Sequence, residues 1–377
     1  MNDENQVAVL ATENILYERI RELVVAARQT VARGVDLVQV RTNFEIGHHI
    51  VEQEQQGEQR ADYGKAVIKR LADKLTQEFG RGFSKSNLEY MRRFYLTYQE
   101  RAAIAQSQTG QSNRALSSEA FSRETAIAQF GTGQSSPATV QSRPFQLSWT
   151  HYVFLMSINN ADERSFYEIE TAAQGWNLNE LKRQFDSSLY ERLALSRDKE
   201  GIRQLAQQGQ IVSQPKDLLK ESLVLEFLGL GEQARYSESD LETALINQIE
   251  HFLLELGKGF LFEARQKRFT FDDDHFFVDL VFYNRLLRCY VLIDLKIGKL
   301  THQDLGQMQM YVNYFDRHVK TETESSTIGI ILCKKKHEAL VEITLPKDAN
   351  IHAREYQLYL PSKEELQHKL QEWIGNE

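Results

Sequence analysis

Two aspartates stand where strands would ordinarily carry apolar side chains. Asp279 interrupts FFVDLVFY, Asp294 interrupts YVLIDLK, and Lys296 follows Asp294 at the second position. A carboxylate buried in a strand is costly unless it is paired or holds a metal. Side chains alternate along a strand, so Asp294 and Lys296 share one face while Ile293 and Leu295 take the other. If the two strands form a hairpin, Asp279 sits beside Asp294. Carboxylates so placed raise each other's pKa. A divalent cation would relieve the repulsion, and clustered hard oxygens suit Mg2+ or Mn2+. The plain alternative is a pair of edge acids reaching water, with Lys296 as an ion-pair partner.

The elements that must position these residues begin at about 217. Ser239 and Glu242 have the spacing of a capping box. The helix it opens would carry Leu241, Leu245, Ile249, Phe252 and Leu256 on one face and stop at Gly257. Three strand-like runs follow, FLFEARQKRFTF, HFFVDLVFY and RCYVLIDLK, separated by the turns DDDH and NRLL. Both turns are short enough for hairpins. A helix in QDLGQMQMYVNYF, a strand in STIGIILC and a last strand in REYQLYL complete the run. The order α-β-β-β-α-β predicts a mixed sheet with helices packed on it.

Asp279, a hairpin, and Asp294-x-Lys296 inside that element order resemble the PD-(D/E)XK nuclease superfamily. The stretches ESDLETALINQIEHFLLELGKGFLFEARQKRF, FFVDLVFYNRLLRCYVLIDLKIG and GQMQMYVNYFD are similar to the nuclease domain of the YhcG family. The first half resembles that family's helical domain through NFEIGHHIVEQEQQGEQRADYGKAVIKRLADKLTQEFGRGFSKSNLEYMRRFY, LSWTHYVFL and WNLNELKRQFDSSLYERL. The resemblance implies an α+β chain. An all-α N-terminal domain with a helix-turn-helix-like unit would occupy 1–100 and 148–200. Outside the resemblance, composition places a low-complexity linker or insertion at 101–147. An α/β restriction-endonuclease-like domain with an αβββαβ core would occupy 217–377.

The resemblance also implies roles. Asp279, Asp294 and Lys296 would be catalytic, with Asp279, Asp294 and the main-chain carbonyl of Leu295 holding Mg2+ or Mn2+. Asp stands at 294 where the family more often has Glu. Gln307 and Tyr311 look like a Q-x-x-x-Y element that would meet the substrate or steady Lys296. A helix glutamate would complete the catalytic and metal set: Glu242 fits best, with Glu250 and Glu255 as alternatives, and Glu242 reads equally well as the capping residue. The implied activity is that of a metal-dependent nuclease, a hydrolase acting on phosphodiester bonds, with DNA the expected substrate and RNA left open. A nucleic-acid-binding or assembly protein with a silent nuclease fold is the rival.

The first hundred residues are helical by periodicity. Ile15 to Val31, Leu37 to Val51 and Tyr63 to Phe79 each place apolar residues on one face, and Gly80 and Gly82 stop the third. Ser86 with Glu89 suggests a capping box opening a fourth helix that carries Leu88, Met91, Phe94, Tyr95 and Tyr98. Lys85, Arg92 and Arg93, with Arg81, cluster there. They would contact nucleic-acid phosphates, or simply form the solvated face of a helical bundle. From 101 to 145 Gln, Ser, Thr, Ala and Gly dominate, and AIAQSQTGQS returns as AIAQFGTGQS. Such a segment buries too little surface to offset its ordering entropy.

The 377 residues carry a net charge of -8. Nucleic-acid binding must therefore come from local patches or from metal ions. There is no apolar run long enough to cross a membrane, and the acidic start is unlike a secretory leader. Two cysteines, Cys289 and Cys333, make neither a disulfide framework nor a zinc site, which points to a reducing cytoplasm. His48-His49 reads as surface, and no GxxxxGK[ST] is present. Beside nucleic acid, a second copy of the chain in a homodimer is a candidate partner.

Overall fold

The computed structural model describes residues 34, 36–54, 61–101, 144–230, 236–271, 274–336, 338–346 and 349–375. The helix expected over Ile15 to Val31 and the repeats within 101–145 lie outside them. The chain divides into two compact units, Met1–Leu178 and Asn179–Glu377.

The first unit is helical: α1 over 36–54, α2 (Ala61–Phe79), α3 (Lys85–Tyr98), α4 (Trp149–Leu155) and α5 (Ala161–Gln174). Ile50, Ile68, Ala72, Leu88 and Met91 form one buried cluster, at the three- and four-residue spacing that makes a helix face. Gly47 lets α1 approach α3 closely, since a Cβ there would stand 2.0 Å from the Met91 carbonyl oxygen. The cap of α3 is Ser84, whose hydroxyl accepts from Asn87 N–H at 3.3 Å. Ser86 lies inside the first turn and Glu89 pairs with Lys85 instead, so the expected Ser86–Glu89 box is not made. Phe44, Phe94, Tyr98, Phe145 and Tyr152 form an aromatic cluster. Beside it, Arg101 meets Glu168 through two bonds of 2.8 Å.

The second unit begins one residue into α6 (Leu178–Asp186) and continues with α7 (Leu189–Ala194) and α8 (Lys199–Gln208), followed by β1 (Ser222–Val224). Two helices, α9 (Glu238–Asn247) and α10 (Ile249–Leu256), precede β2 (Phe260–Phe271), β3 (Asp274–Asn284) and β4 (Cys289–Lys299). Then come α11 (His302–Tyr314), β5 (Ile328–Lys335), α12 (Glu338–Thr344), β6 (Ile351–Gln357) and α13 (Lys363–Gly375). The six strands lie in the order β1-β6-β5-β4-β3-β2. Pairs β2–β3 and β3–β4 are antiparallel, and the other three pairs are parallel. This is the mixed αβββαβ core expected from the element order.

Both faces of the sheet are covered. Leu241, Leu245, Phe252 and Leu256 of α9 and α10 pack with Leu280, Phe282, Ile293 and Leu295. On the other side Leu305, Met308, Tyr311 and Val312 of α11 pack with Val281, Leu292, Ile331 and Cys333. Alternation therefore holds along β4, with Ile293 and Leu295 on one face and Leu292 on the other. Gly329 brings β5 close under α11, since a Cβ there would stand 2.6 Å from Met308. Cys289 and Cys333 are buried free thiols. Among the described residues no helix is long and apolar enough to cross a membrane.

Helices α6 and α7 are tied to the sheet by buried charge. Glu255 is fully buried and meets Arg192 at 2.5 Å, Arg183 at 3.5 Å and Lys220 at 3.9 Å, and accepts from Val224 N–H at 3.0 Å. Burial opposes its ionisation, but Arg192, Lys220 and Arg183 outweigh burial and hold the carboxyl down at about 2. Stability from this group is present above its ordinary value of 4.5 and is lost as pH falls through about 2. Replacing Glu255 by Gln leaves the buried Arg192 without its carboxylate and should destabilise the unit by about 3–5 kcal/mol at pH 7. Urea titration would read this loss, which should shrink between pH 4.5 and 2; a wild-type midpoint at pH 7 would disprove it.

Candidate active site

Strands β3 and β4 pair from Asn284↔Cys289 to Leu280↔Ile293 and then part. The next opposed positions are Asp279 and Asp294. Parting would leave main-chain donors of β4 without a strand partner, and Asp279 fills that role: its Oδ2 accepts the Leu295 N–H at 2.8 Å. The hairpin thus puts both aspartates at a fork, with Asp294 buried and Asp279 partly exposed.

Charge is packed tightly there. The Lys296 ammonium stands 2.8 Å from Asp294 Oδ2 and 3.7 Å from Glu238 Oε2. Burial, then the Asp279 charge, push the Asp294 carboxyl up to about 7, and Lys296 offsets them only in part. Burial works against charge on Lys296, but Asp294 outweighs it and raises the pKa, with Glu238 and Asp279 contributing less. The ammonium therefore stays protonated around neutral pH.

Helix α9 supplies a third acid from the other side. Its cap is Ser237, with Asp240 completing the box, two residues before the expected Ser239 and Glu242. Glu242 is thereby free of capping duty. It lies buried, with Arg265 Nε 3.0 Å from its Oε1 and Gln266 Nε2 2.5 Å from its Oε2. The same Gln266 amide donates to Asp279 Oδ1 at 3.1 Å. Gln266 has a φ of 45°, left-handed backbone that a non-glycine residue seldom adopts. Neighbours in an extended strand point to opposite faces, and the turn of the backbone at Gln266 is what lets Arg265 and Gln266 reach one carboxylate.

Most of the remaining candidates have partners of their own, and Tyr311 stands close enough to the fork to feel the charges of Asp294 and Asp279. The alternative glutamates differ: Glu255 belongs to the buried cation network, and Glu250 is exposed. Gln307 donates to the Tyr311 hydroxyl, its i+4 neighbour. In the helical unit, Lys85 is half exposed and pairs with Glu89 at 3.6 Å. Arg92 meets Glu54 at 2.6 Å, and Arg93 donates to the Met156 carbonyl at 2.6 Å. His48 and His49 pair with Glu45 and Glu52 of their own helix. Arg265, Gln266 and Glu238 were not singled out in the sequence. A run of alternating charges in FLFEARQKRF marks a solvated edge strand and carries no sign of a left-handed residue.

Asp294 Oδ2 and Glu242 Oε1 are buried without a well-aligned hydrogen bond, and what faces each is a cation, Lys296 or Arg265. Such oxygens suit a hard divalent ion. Among the described residues, however, no three His, Cys, Asp or Glu side chains stand close enough to hold one together. Two acids meet at the fork, and Glu242 stands one amide away, through Gln266.

Comparison with known proteins gives the chain's family. The family model described as the YhcG PDDEXK nuclease domain matches residues 216–371, and that of the DUF1016 N-terminal domain matches 19–192. The chain is 40% identical over 356 residues to the protein named "Putative nuclease YhcG" of Escherichia coli (strain K12), covering 94% of this chain and 92% of that one. A crystal structure of a repair endonuclease from Pyrococcus abyssi matches 35% of this chain and 50% of its own, at 16% identity and a TM-score of 0.23. That score is too low to carry an argument.

The raised Asp294 carboxyl has a measurable consequence. A carboxyl whose folded value exceeds its unfolded one adds stability below the unfolded value, near 3.8, and loses it as pH rises through about 7. Asp294→Asn should therefore stabilise the chelator-treated protein more at pH 8 than at pH 4. Thermal melts at the two pH values check this, and an equal shift at both would refute the raised carboxyl.

Proposed function

The chain belongs to the YhcG family of PDDEXK nucleases, and on that premise we propose that it hydrolyses phosphodiester bonds of DNA with Mg2+ or Mn2+ at the fork. The observation that carries this reading is the juxtaposition of Asp279 and Asp294, with Lys296 2.8 Å from the second. Asp279, Asp294 and the Leu295 carbonyl would hold the ion, with Glu242 as the helix acid. When bound, such an ion polarises the phosphate and lowers the pKa of a water molecule.

The chain's own groups do the rest. Asp294 keeps Lys296 protonated, so Lys296 serves as a fixed positive charge toward the phosphate oxygens as negative charge builds on them. Asp279 holds the fork in register through the Leu295 N–H. Gln307 and Tyr311 lie on the helix covering this face, where they would steady the substrate near Lys296. In the helical unit, Lys85, Arg92 and Arg93 would contact the phosphate backbone. Lys85 is the readiest, because an exposed pair such as Lys85–Glu89 holds it only weakly.

Two outcomes follow. Asp279→Ala and Lys296→Ala should each lower metal-dependent cleavage by about 10²–10³-fold or more, as loss of a transition-state charge partner does. Linear, nicked, branched and single-stranded DNA, with RNA beside them, form the substrate panel, with and without Mg2+ or Mn2+. Wild-type rates in either folded variant would sink the assignment, and no cleavage by the wild type would favour a silent fold. Lys85→Ala should weaken DNA binding across sequences and flatten the salt dependence by about one unit of slope. Fluorescence anisotropy at several salt concentrations reads both, and an unchanged slope would remove Lys85 from the interface.

A further inference from the structure

We propose that Gln266 is a positioning residue that brings the helix acid Glu242 to the two aspartates of the fork. The proposal rests on the metal-dependent reading above and adds to it the group that assembles the site. An amide nitrogen has two hydrogens, and here both are used on carboxylates: Glu242 Oε2 at 2.5 Å and Asp279 Oδ1 at 3.1 Å. Glu242 comes from α9 and Asp279 from β3, so a single side chain joins two separate elements. No three acids stand close enough to bind a metal directly among the described residues. The Gln266 amide therefore occupies the step by which Glu242 falls short of the aspartates.

The backbone argues that this placement is built for the side chain. Gln266 sits at φ 45° in the middle of a twelve-residue strand, where no chain reversal requires it. The strand pairs regularly on both sides of this residue, Arg265↔Leu280 and Lys267↔Val278. The left-handed conformation therefore redirects a side chain and leaves the register intact. Arg265 adds a positive charge at the remaining Glu242 oxygen. Together the two residues engage both oxygens of Glu242. Glutamine is suited to the post because it donates twice without adding charge: lysine or arginine would compete with a cation, and a third acid would repel the first two.

The test separates amide from backbone. Glycine accepts a φ of 45° freely and alanine does not, but neither can donate from a side chain. Mn2+ affinity of the full chain, measured by titration calorimetry, should fall about tenfold or more in both Q266G and Q266A, the usual effect of losing a group that orients a metal ligand. E242Q should show a comparable loss, and E242Q/Q266G no further one, since the amide acts through Glu242. Wild-type affinity in Q266G with loss only in Q266A would mean that the backbone alone matters, and would overturn the proposal. Fully additive losses in the double variant would overturn it too. D294N controls the underlying reading: if it binds Mn2+ like the wild type, or if the wild type binds none, the metal assignment fails first and this proposal falls with it.

Discussion

Two carboxylates are held side by side at the point where a pair of strands comes apart, and the second unit is organised around containing that repulsion. Asp279 is bound into the fork by a main-chain N–H, and Asp294 is buried against a lysine that cannot fully compensate it. Neither would persist without the flanking layers. Helices α9 and α10 on one face and α11 on the other exclude water from β4, which makes an unshared charge at its end so unfavourable. The local cost is set by the same packing that makes the fold stable. An arrangement that raises a carboxyl to about 7 is the kind that accumulates at functional sites.

A second buried acid shows the contrast. Glu255 is more deeply buried than Asp294, yet its carboxyl is driven down, because three cations and a backbone donor surround it. It is saturated, and it serves the fold by locking α6 and α7 to the sheet. Asp294 is undersaturated. The difference lies in the neighbouring charges, three cations around Glu255 against one lysine and one carboxylate beside Asp294, which is why burial alone is a poor guide to an acid's charge.

Much of this was legible in the sequence for a simple reason: the central strands are apolar, so an aspartate within them stands out, and a hairpin of known loop length fixes what lies opposite. The element order and the face shared by Asp294 and Lys296 followed from period-two alternation. Capping was misread by two residues in both α3 and α9, because SKSNLE and SESDLE each offer two serines, and only the backbone decides which hydroxyl faces a free N–H. The three-residue β1 carries too few side chains for a period, and its pairing with β6 joins residues more than a hundred positions apart. Gln266 was illegible because a left-handed residue inside a strand leaves no compositional trace when the residue is not glycine or asparagine.

The sheet ends in two unlike margins. At one, β1 is only three residues long; at the other, β2 is twelve residues long and, among the described residues, pairs on one side alone. An open strand edge of that length is a template on which another chain could polymerise. Its exposed side chains include Glu263, Arg265, Lys267 and Arg268, and stacking a copy against them would press like charges together. The charged row thereby guards the molecule against growing into a fibre, and Arg265, which also faces Glu242, is part of it.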